Sequence, residues 1–67
     1  MEDFNLSHYE VLALSEFGSV VVMRSMPCAI GTERGVEDKE FNAVVTDCKM
    51  GNDGCAITLV AVRKEAA

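Results

Sequence analysis

The side chains of this sequence best suited to chemistry are three cysteines, Cys28, Cys48 and Cys55, and one histidine, His8. Zinc sites usually draw on closely spaced pairs such as C-x-x-C or H-x-x-x-H. No such pair occurs here, and six residues separate Cys48 from Cys55. We therefore expect no cofactor and interpret the thiols as small buried hydrophobic side chains. A metal-binding or redox module that uses the three cysteines is the alternative.

Catalysis is a weak hypothesis for this chain. Cys28 follows Pro27 in a predicted loop, but a nucleophilic thiol needs a nearby base or cation, and nothing in the sequence places His8 beside it. The G-x-S-x-G, S-x-x-K and H-E-x-x-H motifs are missing from the sequence, as are the glycine patterns that cradle phosphate. We predict no catalytic residue and no enzymatic activity.

The richest charged segment lies between residues 31 and 40. The four residues that we predict to contact a partner are Glu33, Arg34, Glu37 and Asp38. With Glu40 the acids do not show the alternating spacing of a calcium loop. Long loops in small domains often carry function, so this loop is the candidate docking surface.

Composition restricts the class of partner. The 67 residues form one small domain, 1–67, and 49% are apolar, which is too many for a disordered segment. Eleven acidic and six basic residues give a net charge of -5. This charge disfavours direct binding to nucleic acid or to an anionic membrane, and favours a protein partner with a basic surface.

Several features of the sequence predict a cytoplasmic protein. No apolar run approaches the length of a membrane helix. The first five residues, 1–5, are acidic where a signal peptide would be basic. An odd number of cysteines argues against a closed disulfide framework, so self-association or a metal is the expected source of extra stability.

The pattern of residues 6–18 predicts a short helix. Ser7 and Glu10 fit a capping box, Leu6 and Val11 fit a hydrophobic staple, and Gly18 fits a left-handed C-cap. The alternative is a strand over residues 8–15, where apolar and polar side chains partly alternate.

The remaining sequence predicts strands. Three consecutive valines favour a strand over residues 19–26, and residues 27–39 are expected to form a loop. Residues 40–64 predict a hairpin with its turn at 51–54, although the apolar spacing in residues 40–50 also suits a helix. A two-residue turn would place Cys48 opposite Ile57 and Val45 opposite Val60. A bulged turn would shift that register by one.

These elements predict an α+β fold, a short N-terminal helix packed on a three-stranded antiparallel sheet. Both sheet faces are partly apolar, and one helix covers only one of them, so a second copy of the chain is expected to form a homodimer. The runner-up is an all-β fold of four to five strands. The predicted function is non-enzymatic protein binding by a small acidic inhibitor or adaptor, of the type that phages and other mobile elements encode. A small nucleic-acid-binding regulator is a further alternative.

Overall fold

The fold is α+β, with one helix on a single antiparallel sheet. The computed structural model describes residues 6–64. The expectation that residues 1–5 do not belong to a signal peptide therefore lies outside the described part. The elements are α1 (His8–Phe17), β1 (Ser19–Arg24), β2 (Glu33–Gly35), β3 (Phe41–Gly51) and β4 (Gly54–Arg63). Their order across the sheet is β1-β4-β3-β2. The sheet thus has four strands, and the prediction of three was wrong.

The helix begins and ends where the sequence predicts. The Ser7 hydroxyl accepts from the Glu10 N–H, and the Glu10 carboxylate accepts from the Ser7 N–H, which completes the capping box. Gly18 takes a left-handed conformation, with φ of 82°, and its N–H donates to the Leu14 carbonyl. The interpretation of residues 8–15 as a strand, on which the all-β alternative depended, was wrong.

The fourth strand, β2, lies inside the segment predicted to be a loop. It has three residues and pairs with β3, with Arg34 opposite Ala43. Backbone bonds hold the segment before it, since Gly31 N–H donates to Val45 O and Val45 N–H donates to Thr32 O. So short a strand, with charged residues and a glycine, lacks the apolar alternation by which strands are recognised.

The hairpin of β3 and β4 forms as predicted, but its register changes partway along. Near the two-residue turn Cys48 lies opposite Ile57, as the sequence predicts. A bulge at Thr46 then shifts the pairing, so that Val45 lies opposite Leu59 and not Val60. Because a shift of one residue reverses the faces, the bulge brings Val45 into the core.

The core lies between α1 and one face of the sheet. Its largest fully buried side chains are Leu14 from the helix and, from the sheet, Val45, Cys55, Ile57 and Leu59. The other face, here called the open face, is not covered by α1, and its Val21, Met23 and Val62 are 61%, 63% and 43% exposed. Within residues 6–64 no helix is long and apolar enough to cross a membrane.

Candidate protein-binding site

Four acidic residues lie along the edge strand β2 and in the turn that leads from β2 into β3. We call this region the acidic end, and its carboxylates belong to exposed residues, namely Glu33, Glu37, Asp38 and Glu40. Three of the four residues predicted to contact a partner are therefore accessible acids. Their exposure is consistent with the edge position of β2, which leaves the strand and the following turn open to solvent.

The turn that carries Glu37 and Asp38 is held in place by its neighbours. Val36 is buried in the core, with 7% exposure, and its carbonyl accepts from the Lys39 N–H and from the Lys64 ammonium at 3.0 Å. Asp38 has a positive φ of 65°, a conformation that Asp tolerates better than most side chains. The acidic turn therefore has a defined backbone shape, and a partner would meet it with little ordering cost.

Glu33 and Arg34 point to opposite faces of β2. The Glu33 carboxylate lies on the open face, where it accepts from the Asn42 side-chain amide at 2.7 Å. Arg34 pairs with the buried Ala43 and faces α1. Of the four residues predicted to contact a partner, Arg34, Glu37 and Asp38 therefore line the groove beside α1, and Glu33 lies on the opposite face of the strand.

Arg34 lines an open groove of about 780 Å³ between the first half of α1 and the β2–β3 turn. The apolar part of the groove includes Val11 and Val36, and the charged part includes Glu37 and Lys39. His8 lies at this groove too, and not beside the cysteines. The mixed lining suits contact with a polypeptide, which presents both apolar and charged groups.

The three cysteines lie close together in and around the core. Cys55 is 1% exposed, Cys28 and Cys48 pack against the same core, and the Cys55 thiol contacts the Met50 sulfur at 3.4 Å. Burial raises the pKa of Cys55, and the neighbouring Cys48 and Cys28 raise it further. A thiol of this kind stays protonated and is a poor nucleophile and a poor metal ligand. No group of three or more His, Cys, Asp or Glu side chains in the described range is arranged to hold a metal ion.

Sequence reasoning missed two residues that shape the acidic end, Val36 and Lys64. The signal for Val36 was a single aliphatic residue between Gly35 and Glu37 in a presumed loop, which indicates a core anchor only once β2 is known. Lys64 is 28 positions from Val36 along the chain, and nothing in the sequence links them.

The chain matches no protein-family model, and no curated protein or solved structure shows significant similarity to it.

Proposed function

We propose that this chain is a non-enzymatic protein-binding module that docks on a basic protein surface through its acidic end. The observation that carries the proposal is a turn that Val36 and Lys64 hold in shape and that exposes Glu37 and Asp38, with the exposed Glu33 on the adjoining edge strand β2. A preorganised acidic surface raises the association rate with a basic partner and disfavours acidic ones.

Charge across the whole chain supports a protein partner. The net charge of -5 repels phosphate backbones, and the bases near the acidic end are interspersed with acids. A partner that normally binds nucleic acid presents a basic surface, which the acidic end would occupy in its place. This mode of action belongs to an inhibitor or adaptor of the mobile-element type that works in the cytoplasm.

Self-association forms the second part of the proposal. A domain of 67 residues buries too little surface for high stability, and the open face leaves Val21 and Met23 largely exposed. A homodimer would reduce that exposure and present two acidic ends to a partner.

The experiment is capture from host-cell lysate on the tagged full chain, with nuclease, followed by mass spectrometry. We expect one dominant protein with a basic surface, which the double variant Glu33→Lys/Glu37→Lys fails to retain. The matched control, Glu16→Lys/Asp53→Lys, changes the net charge equally at exposed sites in α1 and the hairpin turn, and should retain it. Equal retention by both variants, an empty capture, or a capture lost with nuclease would contradict the proposal.

A further inference from the structure

The two edges of the sheet differ in length and charge. β2 forms one edge, with three residues and the carboxylates of the acidic end beside it. β1 forms the other, with six residues, and Arg24 is its only charged residue. The Arg24 guanidinium lies 2.9 Å from the Glu10 carboxylate. A second copy of this acidic chain is therefore repelled most at β2 and least at β1.

The backbone of β1 offers unpaired groups on its outer side. The Gly18 carbonyl accepts from the Ala61 N–H at 2.9 Å, so Gly18 faces β4. Because hydrogen-bonding direction alternates along an antiparallel strand, Ser19, Val21 and Met23 direct their N–H and C=O groups away from β4. The Met23 carbonyl accepts from its neighbour Arg24. Within residues 6–64 the structure gives the other outward groups no hydrogen-bond partner.

Exposed apolar side chains flank this edge on both faces. Val21 and Met23 lie beside it on the open face. On the helix side Tyr9 and Phe17 are 76% and 77% exposed. They are eight residues apart, which places them on one side of α1 together with Glu10, whose carboxylate reaches Arg24 of β1. An edge with unpaired backbone groups and apolar flanks is a template for an added strand.

We infer that β1 of one copy pairs antiparallel with β1 of a second copy, which joins the two sheets into one of eight strands. This inference deepens the self-association part of the proposed function by naming its surface. A two-fold axis perpendicular to the sheet at Val22 matches the outward groups of each strand to those of the other. It also sets Val21 beside Met23 of the second copy on the open face, where each covers part of the other. The two acidic ends then lie at the far edges of the joined sheet.

Sedimentation equilibrium of the full chain at micromolar concentrations tests this inference. The wild type should be a dimer in equilibrium with monomer. Val21→Pro removes an outward N–H, leaves the bonds to β4 intact, and should raise the dimer dissociation constant about tenfold or more. If circular dichroism shows that this variant does not fold, Met23→Lys takes its place, since it brings a desolvated charge to the joint. The control is Val62→Lys, which adds the same charge to the open face on the inner strand β4 and should remain dimeric.

A monomeric wild type would overturn the inference. A monomeric Val62→Lys variant together with a dimeric Val21→Pro variant would also overturn it, because that result would indicate packing through the open face. Partner capture separates the two proposals. A monomeric wild type that still captures its partner overturns the β1 joint alone. A β1-joined dimer that captures no protein overturns the binding proposal alone.

Discussion

The guanidinium of Arg24 and the carboxylate of Glu10 form a two-pronged ion pair, with N–O distances of 2.9 and 3.2 Å. The same carboxylate accepts from the Ser7 N–H, so one side chain both caps α1 and fastens it to β1. The side chains of Arg24 and Glu10 are 23% and 16% exposed, which limits screening by solvent. This pair fixes the start of the helix over the edge strand that we propose as the joint between copies.

We predict that Glu10→Ala destabilises the fold more than Ser7→Ala does. Ser7→Ala removes one cap and should lower the free energy of unfolding by about 1 kcal/mol. Glu10→Ala removes the reciprocal cap and the Arg24 ion pair, and should cost about 2 kcal/mol. Urea denaturation of both variants at the same protein concentration provides the comparison. Equal losses would mean that the ion pair contributes nothing to stability.

Stability should fall in acid partly through Glu10. Partial burial acts to raise its pKa, but hydrogen bonds from Arg24 and the Ser7 backbone outweigh that effect and lower the pKa of Glu10 from 4.5. Because the pKa is lower in the folded than in the unfolded chain, this contribution is fully present above pH 4.5 and is lost as the pH falls through the folded-state pKa. Urea denaturation at several pH values in this range should show that the free energy of unfolding falls less with acid for Glu10→Gln than for the wild type. Parallel declines for the two proteins would contradict the prediction.

We predict that Gly54→Ala destabilises the fold far more than Gly35→Ala does. A Cβ at Gly54, which has a φ of +140°, would lie 2.7 Å from the Arg24 carbonyl oxygen. Gly54→Ala should therefore cost about 2 kcal/mol or more in unfolding free energy. Gly35→Ala meets only the Asn42 side-chain oxygen at 3.6 Å and should change stability by less than about 0.5 kcal/mol. A similar result for the two variants would show that the hairpin turn does not approach β1 this closely.

The Cys55 thiol should be protected from alkylation in the folded protein. It is 1% exposed, and burial raises its pKa, so little thiolate forms and little reagent reaches it. Peptide mass spectrometry after brief iodoacetamide treatment should show Cys55 labelled more slowly than Cys28 or Cys48. Denaturation in urea should abolish the difference. Fast labelling of native Cys55 would instead revive a redox or metal-binding role.

The helix could be predicted from the sequence because its ends are specified locally. Ser7, Glu10 and Gly18 each act within a few positions of the bonds that they make. The valines of β1 and the turn of the hairpin are also local signals, and β1 and the hairpin of β3 and β4 formed where expected. Local residue chemistry was therefore enough to predict the class of the fold.

The register and the fourth strand depend on contacts between distant residues. The bulge at Thr46 has no signature of its own in the sequence, yet it decides that Val45 enters the core while Val44 does not. β2 exists because it pairs with β3 and because Val36 reaches the core beyond it. The acidic residues could be proposed as a site from the sequence alone. The placement of Glu33 and Arg34 on opposite faces could not be predicted, because it depends on the pairing of β2 with β3.

The central claim is that the acidic end is the surface that meets a protein partner. Amide hydrogen exchange of the full chain, with and without the captured partner, tests it most directly because each region reports separately. We expect added protection across residues 33–40, and little change in the hairpin turn at residues 51–54. Protection confined to the hairpin turn or the open face, with residues 33–40 unchanged, would contradict the account.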